Sequence, residues 1–263
     1  MADSQTKNIR KVALTSLAGT SIEWYDFFLY GTAAAIIFPK AFFPSDMPAM
    51  VALIASFSTF AVGFLARPLG GIIFGHFGDR VGRKQTLVLA LLIMGTSTTL
   101  IGLLPTYATI GYIAPLILVL LRFVQGLAIG GQWGGAMLLV TESAPSDKRG
   151  WYGAYAQAGA PIGVILANLA FLGVSGSMSE DAFLDWGWRL PFLASIVLIG
   201  VSLYVQLNLE DTEAFKKLAN NQSEGSIEDT PIRRSPIVEV IVDYPKRIFL
   251  AAGAFLSIQV TFY

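Results

Sequence analysis

Cysteine is absent from this chain, and histidine occurs once, at His76. The first absence excludes disulfides and thiolate chemistry. The second leaves no His/Cys cluster from which a catalytic metal site could be built. Charge is also scarce. Asp, Glu, Lys and Arg make up 14% of the 263 residues, where a soluble domain carries about a quarter. The 18 acidic and 18 basic side chains cancel, so bulk electrostatics gives no case for a nucleic-acid partner. No nucleophile–base pair stands out, which sets enzymatic chemistry aside. The apolar runs show no polar–apolar alternation, which excludes barrel strands.

What is present is hydrocarbon. Hydrophobic residues reach 54%, and apolar runs of membrane-crossing length recur. They place six complete spans at about 12–38, 49–77, 86–104, 111–140, 150–173 and 187–208, with the start of a seventh over 248–263. A bilayer offers the backbone no hydrogen-bond partner, so the spans are expected to be helices. Residues 1–11 form an N-terminus and 209–247 a central loop between two halves. Within that loop Asp211 can cap a short helix carrying Phe215 and Leu218. Residues 220–236 are polar and broken by Gly225, Pro231 and Pro236, which predicts mobility. Ile237, Val240, Ile241 and Tyr244 have the spacing of a helix lying on a membrane surface. The first run is too long for a cleaved signal peptide and carries Glu23 and Asp26. The seventh stops short of the ~20 residues a span needs, which points to a fragment of a longer protein or a truncated frame.

Loop charge orients the spans. Fourteen of the 18 Lys and Arg residues fall on one side, from Lys7, Arg10 and Lys11 to Lys246 and Arg247; Lys40 and Arg189 fall on the other. The positive side is expected to be cytoplasmic, together with the N-terminus and the central loop. On that side lies the stretch Gly75-His-Phe-Gly-Asp-Arg-Val-Gly-Arg-Lys84. It reads as a polar hairpin in which Gly75, Gly78 and Gly82 permit a sharp turn and close helix approach. Asp79 sits among Arg80, Arg83 and Lys84. Glu142 and Arg149 close the same side after the fourth span. Charge pairs between the two stretches would form a latch that breaks and re-forms, the bistable element that alternating access needs.

Charges inside apolar spans cost roughly 2.5–3.5 kcal/mol each on insertion scales and are candidates for function. Four occur: Glu23, Asp26, Arg67 and Arg122. Glu23 and Asp26 share one helical face, which Ser16, Gly19 and Tyr30 continue. Arg122 is central in the fourth span, with Gln125 and Gly126 one turn on. A buried carboxylate is pulled towards its protonated form by desolvation and towards its ionised form by a nearby arginine. A group balanced between the two can carry a proton, which gives Glu23 and Asp26 the coupling role. Arg122, Gln125 and Tyr30 are then expected to hold substrate. A static ion pair fixing span 1 to span 4 is the alternative. Arg67 lies nearer the cytoplasmic end, where it can snorkel. His76 reads as a loop hydrogen-bonder, and the glycine-rich run 126–135 as a packing face. An internal repeat is visible too. Spans 1 and 4 both carry midplane polar groups, and spans 2 and 5 both carry a Pro-x-Gly motif, at Pro68 and Pro161.

The Gly75–Lys84 stretch resembles the loop after the second span of the major facilitator superfamily. With Ile22-Glu-Trp-Tyr-Asp-Phe-Phe-Leu-Tyr-Gly31, Arg67-Pro-Leu-Gly-Gly71, Arg122-Phe-Val-Gln-Gly126 and Trp186-Gly-Trp-Arg-Leu-Pro-Phe192, the chain resembles the metabolite:proton symporters of that superfamily, the carriers of shikimate, α-ketoglutarate, citrate and proline/betaine. The resemblance implies twelve spans in two six-helix bundles, of which this chain would be the N-terminal bundle truncated in its seventh helix. It also implies proton-driven uptake across the prokaryotic plasma membrane. Two departures stand out: Gln132 where family members often have Glu, and a Gln157–Gly163 stretch that partly echoes exchangers. The expectation is an all-helical secondary transporter taking up a small polar metabolite, such as shikimate or a related organic acid. It uses the proton gradient and no cofactor, works as a monomer in the lipid bilayer, and has no nucleic-acid partner. An exchanger without proton coupling and a non-transporting half-protein are the alternatives.

Overall fold

The computed structural model describes residues 2–81, 83–207 and 243–262, and all regular structure among them is helical. The chain divides into two units, residues 1–216 and 217–263. The first contains, in order, α1 (Ala2–Ile36), α2 (Phe38–Ala41), α3 (Ala49–Val81), α4 (Arg83–Leu103), α5 (Tyr107–Ile110), α6 (Ile113–Ser143), α7 (Arg149–Gly176), α8 (Glu180–Ala182), a π-helical turn (Phe183–Gly187) and α9 (Arg189–Leu207). The second is described over α10, Pro245–Phe262.

The helices run past the ends of the apolar stretches. An α-helix satisfies its own backbone, so polar side chains at a span's end need not unwind it. Thus α1 is already helical at residue 2, and α3 continues through the polar stretch to Val81. The expected ten-residue hairpin over 75–84 is therefore corrected: α4 starts at Arg83, and only Gly82 separates the two helices. Gly82 itself lies outside the described residues, as do the side chains of Asp79, Arg80, Arg83, Lys84 and Glu142. The close approach expected at Gly75 and Gly78 is corrected as well. A Cβ at Gly75 would meet nothing within 4 Å, and one at Gly78 would make an ordinary 3.7 Å contact with Thr86. The features expected between 209 and 242 lie outside the described residues.

Breaks in the helices follow local chemistry. α1 ends before Pro39, which sits in the first turn of α2, where its missing N–H leaves no bond unmade. The turn before α6 passes through Gly111 at φ 59° and ψ −141°, a backbone that suits glycine. Ser179 caps α8 by accepting from the Ala182 N–H at 3.3 Å.

Four of the described helices have a stretch long and apolar enough to cross a membrane: 49–78 in α3, 85–103 in α4, 113–132 in α6 and 149–176 in α7. α1 carries Thr15, Ser16, Thr20, Ser21, Glu23 and Asp26, all buried. By contrast α3 turns Leu65, Leu69 and Ile72 outward. The polar helix is the enclosed one and the apolar helix shows its face, as hydrocarbon surroundings favour.

Packing repeats internally. α1 packs chiefly on α7 and α3 on α6, while α4 packs on both α6 and α9. Exchanging α1, α3 and α4 with α6, α7 and α9 maps the α1–α7 pair onto the α3–α6 pair and the α4–α9 pair onto itself. Pro68 and Pro161 lie inside the two helices that exchange, α3 and α7. The α3–α6 and α1–α7 pairs are both seamed by glycine. A Cβ at Gly126 or Gly130 of α6 would run into the α3 backbone at Gly63 or Arg67, and one at Gly70 into the Leu127 carbonyl. On α7, Gly159 and Gly163 face the α1 backbone around Ser21 and Tyr25 in the same way. Small residues at a helix crossing bring backbones together where no hydrophobic drive exists within lipid.

Candidate functional site

α1, α4 and α6 converge on a polar cluster. α6 places Arg122 and Gln125 three residues apart on one face, and the arginine Nη1 donates to the Gln125 Oε1 at 3.0 Å. The other end of that amide faces α1 and α4. Its Nε2 donates to Thr98 Oγ1 at 2.8 Å and to Asp26 Oδ2 at 3.2 Å. The Thr98 hydroxyl donates to Asp26 Oδ1. Arg122 Nη1 stands 3.8 Å from Asp26 Oδ2. All four side chains are almost fully buried, with Asp26 at 2% and Arg122 at 1% exposure. Charges so placed are tolerable only when paired and hydrogen-bonded.

Arg122 is not fully bound. Its Nε has no hydrogen-bond partner. Its guanidinium instead lies 4.2 Å from the Tyr30 ring centroid and 4.7 Å from that of Phe60, a cation–π arrangement. Tyr30 uses its hydroxyl on Thr59, at 2.6 Å. Tyr30 is thus an aromatic platform under the arginine, its polar tip already engaged.

Glu23 is one turn away on α1 and is not joined to this network. It is 5% exposed, and its Oε2 has no hydrogen-bond partner. Arg67 exerts the attraction it feels and Asp26 the repulsion. The Arg67 guanidinium lies 4.6 Å from the Phe64 centroid and 5.3 Å from that of Phe27. Each carboxylate of α1 therefore has its own arginine, and each arginine its own pair of rings. Phe27, Phe60 and Phe64 touch one another, with centroids 4.9–5.7 Å apart. Gln132 is also buried, with an unpartnered Oε1.

Of the residues singled out in the sequence, Asp26, Tyr30, Arg122 and Gln125 come together, and Glu23 stands beside them. Arg149 is exposed at the first turn of α7. Gly75 and Gly78 lie on α3, far along the chain from the cluster. Sequence reasoning missed Thr98, Thr59 and Phe60. The signal for Thr98 was the run Thr96-Ser-Thr-Thr99 inside an otherwise apolar helix. A concavity of about 470 Å³ opens elsewhere, beside the α1 end, α2 and the start of α3. It is lined by apolar residues with Lys40 and Ser45, and by none of the cluster.

The arrangement can exchange a proton for a charge contact. Protonation of Asp26 removes the negative partner from beside Arg122 and leaves a buried cation without its counter-charge.

Comparison with known proteins places the chain. A family model described as "Sugar (and other) transporter" matches residues 11–232. The chain is 54% identical over 217 residues to the inner membrane metabolite transport protein YhjE of Escherichia coli (strain K12), covering 82% of this chain and 49% of that one. It is 46% identical to the shikimate transporter of the same organism, covering 95% of this chain and 54% of that one. It therefore spans about half the length of these relatives. Among solved structures, the major facilitator proton:xylose symporter XylE of E. coli superposes with a TM-score of 0.74 at 16% identity, over 83% of this chain and 48% of that one. This last likeness establishes the fold.

Proposed function

The chain belongs to the sugar (and other) transporter family, a family of carriers rather than enzymes, and from that premise we propose that the whole protein is a secondary active transporter. It takes up a small polar metabolite, a carboxylate such as shikimate or a related organic acid, by proton symport with alternating access. Its seat is the prokaryotic inner membrane, with the N-terminus in the cytoplasm and the lipid bilayer as its surroundings; it works as a monomer.

One observation carries the reading: the buried Arg122–Asp26 pair at 3.8 Å, bridged by Gln125, with Arg122 Nε unpartnered. At 3.8 Å the two charges are beyond direct hydrogen-bond range and are joined through the Gln125 amide, so they can part without breaking a direct bond. Asp26 carries the coupling proton, with Glu23 as a second carboxylate. Arg122, Gln125 and the Tyr30 platform meet the substrate. The chemistry suits a carboxylate, because a guanidinium released from one carboxylate binds another in the same geometry. The name of one relative, a shikimate transporter, supports the same class. The stretch from Gly75 to Lys84, with Glu142 and Arg149, gates the cytoplasmic side. Asp79 and Arg83 are the latch.

The test is proton movement in vesicles holding the full-length protein, with shikimate, α-ketoglutarate, citrate and proline betaine added one at a time. Alkalinisation outside on adding one compound, lost in Asp26→Asn, is the expected result. Exchange of preloaded label with no proton signal from any compound would overturn the symport reading in favour of an exchanger.

A further inference from the structure

Thr98 holds a position that the proton-coupling reading does not use. Its Oγ1 lies within hydrogen-bond range of three groups: Asp26 Oδ1 on α1, Gln125 Nε2 on α6 at 2.8 Å, and the Met94 carbonyl of its own helix at 2.9 Å. A threonine hydroxyl has one hydrogen to donate and two lone pairs to accept with. The Gln125 N–H fills one lone pair. The hydroxyl hydrogen then has two competing acceptors, the Asp26 carboxylate and the Met94 carbonyl.

We propose that Thr98 is a positioning residue for Asp26, whose hydroxyl reverses direction when Asp26 gains or loses its proton. With Asp26 ionised, the Thr98 O–H donates to Oδ1, a charge-assisted bond stronger than one to a carbonyl. When a proton from water settles on Oδ1, that oxygen becomes a donor to Thr98 Oγ1. The Thr98 hydrogen then rotates to the Met94 carbonyl. No bond to the hydrogen of Thr98 breaks; only its torsion changes. The Thr98 hydrogen has an acceptor in both states. Gln125 donates to Thr98 throughout, so its amide stays fixed while the carboxylate changes charge. The device lets Asp26 be neutralised in a buried site without stranding a polar group.

The surrounding charges leave this choice to Asp26. From α6, Arg122 faces it as the cation, and Gln125 is neutral. α4 presents the uncharged Thr98. On α1 the titratable neighbours are Glu23, Tyr25 and Tyr30, and from α3 Arg67 acts on Glu23. α7 and α9 carry their charged residues at their first positions, Arg149 and Arg189, and their tyrosines are Tyr152, Tyr155 and Tyr204. Of the residues that touch Asp26, Thr98 is the one with an alternative acceptor on its own backbone.

This inference rests on Asp26 being the proton carrier, so the experiment reads the two separately. The full-length protein in lipid vesicles is titrated by infrared difference spectroscopy. The Asp26 carboxyl band is identified by its loss in Asp26→Asn. Thr98→Val keeps the side-chain shape and removes the hydroxyl. It should move the band's titration midpoint to higher pH by about one unit, the size of one lost hydrogen bond to a charge. Thr98→Ser, which restores the hydroxyl, should return the midpoint to that of the parent. An unchanged midpoint in Thr98→Val overturns the proposal, and so does a Thr98→Ser shift as large as that of valine. A band that shifts as expected in a protein showing no substrate-linked proton uptake would keep the switch and sink the transport reading. Absence of any titrating band lost in Asp26→Asn would sink both.

Discussion

Two carboxylates stand three residues apart on α1, and the protein treats them differently. Asp26 accepts from Thr98 and Gln125 and lies beside Arg122. Glu23 is just as buried, yet its Oε2 has no partner. Both have an arginine in reach, and both arginines rest on aromatic rings. The difference is the uncharged middle layer. Asp26 has an amide and a hydroxyl between it and its cation; Glu23 has neither among its described contacts. Hydrogen bonds add to the opposite charge in setting how firmly a buried carboxylate is held. A carboxylate in a network has two defined states, and one outside it has a free oxygen that can turn to a new partner.

Removing one member at a time separates the two. Asp26→Asn takes away the carrier and turns an amide donor towards Gln125 and Thr98. Uphill uptake on a proton gradient should fall at least about a hundredfold, while counterflow of preloaded label persists; uphill uptake that survives would end the coupling assignment. Gln125→Leu strips the bridge but leaves both charges. Initial uptake rates should drop about tenfold, the worth of one hydrogen bond to a charged group, and parental rates would make the amide a bystander. Glu23→Gln should lower accumulation only about threefold, since no formed hydrogen bond at Oε2 is lost. If it abolished accumulation as Asp26→Asn does, the contrast between the two carboxylates would collapse. Arg67→Lys should matter least. It keeps the charge on Glu23 and loses planar stacking on Phe27 and Phe64, worth about twofold in rate; a loss as deep as that from Arg122→Lys would make the two arginines equivalent.

Much of this could be read from the residues. The all-helical bundle followed from uninterrupted apolar runs, and the Pro-x-Gly recurrence pointed to the repeat that the α1–α7 and α3–α6 pairs display. Asp26, Arg122 and Gln125 were visible because a charge within hydrocarbon has few innocent explanations. Thr98 was not. A threonine in an apolar helix can satisfy itself on the carbonyl four residues back, as Thr99 does on Gly95 and Thr15 on Lys11. Nothing in Thr96-Ser-Thr-Thr99 tells which hydroxyl also faces another helix. The helices outrun the apolar spans for a related reason. Hydropathy marks where hydrocarbon stops, whereas α3 stops three residues after Gly78, where its own hydrogen bonding gives out. The glycines of 75–84 promised contact by their number. The glycines that make contact are those of the α3–α6 and α1–α7 seams, where partner and spacing coincide.

Gly63 joins that seam to the charge cluster. A Cβ there would stand 2.8 Å from Arg122 Nε, so the guanidinium lies in the hollow that glycine leaves. α6 crosses at the same place through a glycine of its own, since a Cβ at Gly126 would strike the Gly63 carbonyl. A point of close helix approach and the address of a positive charge consequently coincide at one residue. A single methyl at position 63 would barely alter hydropathy, yet it would press on the Arg122 side chain and serve the bundle's central cation an eviction notice.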